Sequence, residues 1–197
     1  MTQGAGPYRV MTHRPVLSDG SVVVRAVEPE HIEPIRRWRN AQIDVLRQTR
    51  AITTEEQIAY FKQVVWPDKG SDQPSNILLG LFEKDRIIGY GGLVHIAWDY
   101  ARAEVSFLLA TEIAANEEVV STLFTIWLRL MQQLAFDDLG LARLTTETYA
   151  MRALHLRVLD EAGFQREGLL RDHVRVGGRP MDAVVHGCLA SDVGRPG

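Results

Sequence analysis

The sequence is poor in cysteine, in net charge and in long apolar runs. Its single cysteine, Cys188, excludes an intramolecular disulfide framework and a cysteine-rich zinc site. The histidines show no H-x₃-H or H-E-x-x-H spacing, so we expect no metal. A net charge of −3 argues against nucleic-acid binding by bulk positive charge. No apolar run approaches the roughly 20 residues that span a bilayer, and the first residues lack the apolar region of a signal peptide. We therefore expect a soluble, cytoplasmic protein without nucleic-acid or membrane partners.

The composition is sufficient for a folded core. The chain has 197 residues, of which 46% are hydrophobic and 24% charged, and these values are typical of one globular domain. Gly, Pro and Ser in residues 1–20 predict a loose arm with, at most, a short edge segment. We expect the domain to cover residues 21–190 and the tail at 191–197 to fray.

The periodicity of apolar residues alternates between the strand and helix patterns along the chain. Helices are predicted at 28–40, 54–65, 117–136 and 151–162, although Pro34 weakens the first one. Trp66-Pro67 is expected to end the second helix, and a polar loop is expected at 67–76. Strands are predicted at 21–27, 77–82, 87–94, 103–109, 142–149, 164–167 and 183–189. Glycines 89, 91 and 92 indicate a bulge or a close backbone approach. This order predicts an α/β or α+β fold with helices on both faces of a mixed sheet.

Residues 152–172, with the sequence RALHLRVLDEAGFQREGLLRD, resemble the C-terminal signature of the GNAT superfamily of N-acetyltransferases. They are similar to two branches, one acetylating ribosomal-protein N-termini and the other UDP-linked amino sugars. Trp38-Arg39-Asn40, Ile87-Ile88-Gly89 and Ala103-Glu104 are weaker matches. The resemblance implies a mostly antiparallel central sheet with one splayed parallel pair. The strands near 103–109 and 142–148 are predicted to form this pair, because the long helix at 117–136 joins them as a right-handed crossover.

The same resemblance implies that acetyl-CoA is the co-substrate. The pantetheine arm is expected to run beside β-strand residues Phe107, Leu108 and Leu109, pairing with their backbone as an added strand. The phosphates are expected at the start of the 117–136 helix, where the backbone and side chains of Val119, Val120, Ser121 and Thr122 offer donors. Arg152 is expected to grip a cofactor phosphate.

The loop before that helix departs from the family pattern. Residues 110–124 (ATEIAANEEVVSTLF) contain neither glycine nor a basic residue, whereas the family's loop uses glycine to approach the pyrophosphate closely. Glu117 and Glu118 would repel a polyanion if they point inward. Alternatively, they stabilise the helix dipole and face solvent. The altered loop leaves open a non-catalytic binding module.

Three residues are candidates for proton transfer. His155 stands where relatives carry a Ser, and its ring could protonate the departing thiolate or hold the acyl carbonyl. Glu104 is the preferred base for the acceptor amine, and Glu147 on the neighbouring strand is the second candidate. The alternatives are a helix histidine with a structural hydrogen bond, a Glu104 salt bridge to Arg102 or Arg143, and a solvent-facing Glu147.

The acceptor is predicted to lie near Trp38, Arg39, Asn40 and Tyr149; the alternative is that Trp38 is a core residue and Arg39 a surface residue. An aromatic ring, a guanidinium and an amide suit a nucleotide-sugar, because they offer stacking, charge and hydrogen bonds. The preferred function is therefore acetyl transfer from acetyl-CoA to a small amine, an amino sugar or its nucleotide conjugate. Protein N-terminal acetylation is the alternative within enzymes. The sequence leaves the oligomeric state open, a homodimer included.

Overall fold

The computed structural model describes residues 4–20 and 22–194. Within these residues, eight strands form one sheet in the order β1-β2-β3-β4-β5-β6-β8-β7. Neighbouring strands are antiparallel except for the parallel pair β5–β6. The strands are β1 Val16–Asp19, β2 Val22–Ala26, β3 Ile77–Glu83, β4 Arg86–Ala97, β5 Arg102–Leu109, β6 Arg143–Tyr149, β7 Gln165–Val176 and β8 Arg179–Leu189.

Helices cover both faces of the sheet, as predicted. The helices are α1 Ile32–Ala41, α2 Thr54–Tyr60, α3 Trp66–Gly70, α4 Thr111–Ala114, α5 Glu117–Gln132 and α6 Ala153–Glu161. A π-helical turn joins α2 to α3, and another extends α5 to Asp138. The larger apolar cluster lies between the sheet and helices α5 and α6. The smaller one contains the apolar stripes of α1 and of the α2–α3 segment.

The parallel strands β5 and β6 separate after a short contact. They pair through Arg102 with Arg143, Ala103 with Leu144 and Glu104 with Thr145. Beyond Glu104, β5 pairs only with β4, and an aromatic layer of α5 packs beneath it: the Phe107 ring stacks on Phe124 with centroids 4.8 Å apart. The predicted splay is therefore confirmed, and it opens a gap at the middle of the sheet.

Two glycines of β4 allow the neighbouring strands to approach it. A Cβ on Gly92, whose φ is 137°, would overlap the carbonyl oxygen of Ile77 on β3. A Cβ on Gly91 would overlap the carbonyl oxygen of Ser106 on β5. The close backbone approach that the sequence indicates here is confirmed, and it places β5 at the edge of the gap.

The predicted bounds of three elements are wrong. The helical segment does not end at Trp66-Pro67 but continues through Gly70, because Pro67 lies in the first turn of α3, where a missing N–H costs nothing. The last strands are much longer than the predicted 164–167 and 183–189, and they form a hairpin around Gly177-Gly178. Pro34 does not break α1, because it too lies in a first helical turn.

The segment before residue 20 is packed rather than loose. Tyr8 and Met11 are buried, and the Tyr8 hydroxyl accepts a hydrogen bond from the Leu78 amide at 2.9 Å. Lys69 Nζ donates to the carbonyl oxygens of Gly4 and Gly6, and β1 is the edge strand of the sheet. Predictions for residues 1–3, for Ser21 and for the end of the tail at 195–197 lie outside the described residues.

The longest helical segment, Glu117–Asp138, has the length and apolar composition of a membrane span, contrary to our expectation from the sequence. However, 61% of the apolar 18-residue stretch within it is buried inside the protein. It packs against β5 through Phe124 and Trp127, whose Nε1 donates to the Ser106 carbonyl at 3.0 Å. The segment is therefore a core helix of this fold.

Candidate active site

The gap between β5 and β6 leads into a cavity of about 250 Å³, which we call the splay cavity. Side chains from both faces of the sheet line it, because residues alternate along each strand. Glu104, Glu147 and Arg47 lie on the α1 side, whereas Phe124 and His155 lie on the α5–α6 side. An amine and a thioester arriving from opposite faces would meet here.

The two predicted bases, Glu104 and Glu147, are brought together by Arg47. The Arg47 guanidinium forms an ion pair with Glu104, and its Nε lies 3.5 Å from Glu147 Oε1. The glutamate side chains are 21% and 19% exposed, so solvent screens these pairs only in part. Burial lowers the pKa of Arg47, but Glu104 and Glu147 outweigh it and the pKa is raised. His173 of β7 completes the cluster, with Nε2 3.4 Å from Glu147 Oε1.

Neither predicted salt bridge of Glu104 is present. Arg143 pairs instead with Glu167 of β7, and Arg102 lies over the Tyr100 ring at 5.9 Å. Glu147 Oε1 is buried without a hydrogen bond of good geometry, although both Arg47 and His173 lie within ion-pair distance of it. Glu147 is therefore not a solvent-facing strand residue, and its carboxylate retains capacity for a further donor.

The segment that carries Arg47 is held by polar residues at the end of α1. Asn40 Oδ1 accepts hydrogen bonds from the Ile52 amide at 2.8 Å and from Gln48 Nε2 at 2.9 Å. Arg39 donates to Gln48 Oε1 at 3.1 Å and to the Tyr90 hydroxyl at 2.8 Å. These contacts hold Gln48 and Ile52, on the C-terminal side of Arg47, against the end of α1.

The residues predicted for the acceptor divide into two groups. Arg39 and Tyr149 line the splay cavity, and burial, followed by the charge of Glu147, raises the pKa of Tyr149. Trp38 is only 9% exposed and packs in the smaller apolar cluster, so it is not free to stack on a nucleotide base. Asn40 is engaged in holding the 42–52 segment.

His155 and Arg152 form a contact at the α6 side of the cavity. Arg152 Nη2 lies 2.5 Å from His155 Nε2; because a guanidinium only donates, the ring nitrogen accepts and the imidazole proton is on Nδ1. Burial, followed by the charge of Arg152, lowers the pKa of His155 to about 3. Burial lowers the pKa of Arg152 to about 10. His155 is therefore neutral near pH 7, which favours the donor role of its Nδ1–H over protonation of the thiolate.

A groove of about 470 Å³ continues from Arg152 and His155 to the junction of α4 and α5. The side chains of Phe107, Leu109 and Val120 line it. Leu108 points to the other face of the sheet, into the smaller apolar cluster. Gln42 Nε2 donates to the Leu109 carbonyl at 2.8 Å. The groove has the position that a pantetheine arm beside β5 requires.

At the far end of this groove, the start of α5 is capped by its own chain. Asn116 Oδ1 accepts hydrogen bonds from the amides of Glu118 and Val119, at 3.1 and 3.2 Å. Thr122 Oγ1 donates to the Glu118 carbonyl at 3.0 Å, and the Ser121 carbonyl accepts from Thr125. Glu117 and Glu118 are exposed. A phosphate could use the Val119 amide only by displacing the Asn116 side chain.

Sequence reasoning missed three residues of the site, Arg47, Gln42 and His173. All three lie outside any recognisable motif. Arg47 follows a short 3₁₀ turn, Ile43–Val45, in a segment without helix or strand periodicity, and it is 57 residues from its partner Glu104. An arginine in such a segment has the same local signature as a surface charge.

Comparison with known proteins identifies the family of this chain. A sequence model of the acetyltransferase (GNAT) domain matches residues 24–185. The chain belongs to the GNAT acetyltransferase family. It is an acetyl-CoA-dependent N-acetyltransferase, and acetyl-CoA is its co-substrate. The match does not distinguish the ribosomal-protein branch from the amino-sugar branch. A comparison with curated proteins finds no match.

Solved structures of similar fold include a spermidine N-acetyltransferase from Vibrio cholerae in complex with CoA and spermine. It has a TM-score of 0.76 and 18% identity, and the alignment covers 88% of this chain and 98% of that one. A chimera of the Vibrio cholerae enzyme and hSSAT has a TM-score of 0.72 and 20% identity, with 87% and 97% covered. At this identity the similarity shows the fold, and the mostly antiparallel sheet with its splayed pair is that of the family.

Proposed function

We propose that this GNAT enzyme acetylates a small primary amine that binds as a cation between Glu104 and Glu147. The observation that carries the proposal is the pair of partly buried carboxylates facing one guanidinium at the splay. An ammonium between them would be stabilised by both charges, because partly buried pairs are screened less than exposed ones. Spermine, which is bound in the Vibrio cholerae structure, is an alkyl polyamine with primary amines at its ends.

The residues of the site divide the chemistry between them. Glu104, as the preferred base, takes a proton from the acceptor's ammonium, and Glu147 holds the cation beside it. Acetyl-CoA supplies the activated acetyl group from the groove on the other side of the sheet; the amine nitrogen bonds to the acetyl carbon, the C–S bond breaks, and the CoA thiolate leaves and takes a proton from water. The neutral ring of His155 donates its Nδ1–H to the acyl oxygen, where negative charge develops during transfer. Arg152 holds His155 in this tautomer through Nε2.

The structure supports only part of the sequence-based preference for an amino sugar or its nucleotide conjugate. Its ammonium would fit the carboxylate pair equally well. Its nucleotide would have no stacking partner in Trp38, which is buried, and no amide in Asn40, which is engaged. We therefore rank alkyl amines first and free amino sugars second. Cytoplasmic location and a homodimer remain predictions.

An acceptor screen tests the proposal. CoA release is measured with acetyl-CoA and spermidine, a monoamine, glucosamine, a UDP-linked amino sugar or a peptide with a free N-terminus. We expect the highest kcat/KM for the alkyl amines. Glu104→Gln should lower kcat by roughly 10²–10⁴-fold, the usual scale of acid–base assistance, and Glu147→Gln should mainly raise KM.

The matched control is Glu161→Gln, because Glu161 is an exposed glutamate whose ion pair with Arg157 lies on the surface of α6. It should leave both constants unchanged. Turnover confined to the UDP-linked sugar or to the peptide would contradict the proposal. So would a Glu104→Gln variant with the kinetics of the unmodified enzyme.

A further inference from the structure

Arg47 separates two cavities. Its side chain lines the splay cavity on one side. On the other side it lines a cleft of about 650 Å³ between residues 43–49 and the tip of the β7–β8 hairpin, which we call the outer cleft. Tyr149 also borders both spaces. The guanidinium and its two carboxylate partners therefore stand between the outer cleft and the point where β5 and β6 diverge.

The Arg47 side chain occupies the place that the proposed function gives to the acceptor's ammonium. It contacts Glu104 and Glu147 together, as a cationic amine would. Because the guanidinium contacts both carboxylates, it fills the space between them, and an ammonium can take the same position only after the guanidinium has left. An incoming amine must therefore displace Arg47.

Arg47 is followed by a fixed part of the chain, whereas its own side chain is partly exposed. Asn40 Oδ1 accepts hydrogen bonds from Gln48 and from the Ile52 amide, both of which follow Arg47. The turn Ile43–Val45 contains no buried residue, and the Arg47 side chain is 47% exposed. A rotamer change can thus move the guanidinium from the carboxylates into the outer cleft, which the same side chain lines, and rotamer changes of exposed side chains are fast.

We propose that Arg47 is a charge-exchange gate that closes the splay cavity until a cationic acceptor replaces it. This inference rests on the proposed function, because it assumes that the acceptor binds between the two carboxylates. A cationic amine compensates both glutamates when Arg47 leaves. An uncharged ligand would leave two partly buried carboxylates unpaired, which is costly. Arg47 therefore determines specificity by competing with the acceptor, and it selects acceptors for positive charge.

If the proposal is right, removal of the Arg47 guanidinium leaves a site between Glu104 and Glu147 that binds a cation from solution. Arg47→Gln is prepared with Arg47→Lys, which keeps the charge, and with the control Arg50→Gln. Arg50 is an exposed arginine of the same segment, paired with Glu56. Calorimetry without acetyl-CoA measures binding of n-propylguanidine, a soluble copy of the arginine head group.

We expect Arg47→Gln to bind n-propylguanidine about tenfold more tightly than the unmodified enzyme, on the scale of one or two ion pairs. Arg47→Lys and Arg50→Gln should bind n-propylguanidine no more tightly than the unmodified enzyme does. For the best amine of the screen, Arg47→Gln should lower KM.

Two results would contradict the proposed role of Arg47. No gain in n-propylguanidine binding by a folded Arg47→Gln protein would show that the space between the carboxylates does not admit a cation. A raised KM would show that Arg47 helps to hold the acceptor. The calorimetric result does not depend on turnover. It therefore tests the gating role of Arg47 even if no alkyl amine is acetylated and the proposed function is wrong.

Discussion

His155 differs from an ordinary helix histidine in its neighbours. Its ring lies 5.0 Å from that of Phe124, centroid to centroid, and its Nε2 accepts from Arg152. Both neighbours oppose a positive charge on the imidazole, one by excluding water and the other by repulsion. The ring therefore keeps one proton, on Nδ1, throughout the pH range in which the enzyme would work. This separates its chemistry from that of a histidine titrating near pH 6.5.

His155→Ala should lower kcat by roughly 10²–10³-fold, the scale for loss of one donor to a developing oxyanion. The pH dependence of kcat between pH 6 and 9 should keep its shape, because a group with a pKa of about 3 does not titrate there. His155→Asn keeps an N–H close to the position of Nδ1 and should recover part of the rate.

Steady-state kinetics across this pH range, with a melting curve for each variant, provide the measurement. A limb of the profile that disappears in His155→Ala would contradict the neutral-donor role, because it would show that His155 itself gains or loses a proton. Normal turnover with a lowered melting temperature would show a purely structural histidine.

At the scale of the element, the start of α5 has two competing uses. The amides of a helix N-terminus can bind an anion or be capped by a side chain. In this structure Asn116 caps two of them, and the exposed Glu117 and Glu118 stabilise the helix dipole. Capping favours the folded helix, whereas cofactor phosphates would need the same amides. The departure of this loop from the glycine-rich family pattern is thus coupled to the stability of the helix.

Asn116→Ala should lower the stability of the free enzyme by about 1 kcal/mol, the usual value of a lost cap. The shift in Tm caused by saturating acetyl-CoA should become larger than in the unmodified enzyme, because the phosphates no longer compete with Asn116 for the amides. Thermal unfolding with and without acetyl-CoA measures both effects. An equal shift in the two proteins would show that the phosphates bind away from these amides.

The elements themselves could be predicted from the sequence, because β5, β6 and the long helix carry local periodicities. The splay followed only from the family resemblance. For Trp38, the apolar periodicity and the family resemblance give different predictions. Its helical spacing from Ile32 and Ile35 indicates a core stripe, and the structure buries Trp38 in that stripe. The resemblance had instead placed it at the acceptor. The spacing was the better guide, because burial on α1 follows from amphipathicity alone.

The partnership of Arg47 with Glu104 and Glu147 could not be predicted in this way. It joins a segment without periodicity to two separate strands, and only the three-dimensional arrangement brings their charges together. The capping role of Asn116 could not be predicted either. The sequence predicted Glu117 as the first helical residue, but it did not predict that the Asn116 side chain accepts hydrogen bonds from the first amides of α5. Local patterns thus predicted the elements, while the contacts between distant segments decided the site.

At the scale of the whole molecule, three histidines make stability depend on pH in the same direction. The pKa values of His31, His155 and His186 are lowered, in each case chiefly by burial. The unfolded chain, in which a histidine titrates near pH 6.5, binds more protons than the folded protein below that pH. The free energy of unfolding therefore decreases as the pH falls through 6.5. Carboxylates with a lowered pKa, such as Glu56 at about 2, act with the same sign, but mainly below pH 4.5.

The interval from pH 7 to pH 5 therefore isolates the histidines. Because the pKa of folded His155 is about 3, this residue alone should reduce the free energy of unfolding by about 2 kcal/mol over that interval. Urea unfolding at pH 7, 6 and 5 measures the decrease, and His155→Asn should remove the corresponding part of it. His95→Asn is the control: His95 is exposed, and asparagine tolerates its positive φ of 52°. An equal decrease in His155→Asn and the unmodified enzyme would show that the histidine is not held neutral in the folded state, and the assignment of its proton to Nδ1 near pH 7 would then be wrong.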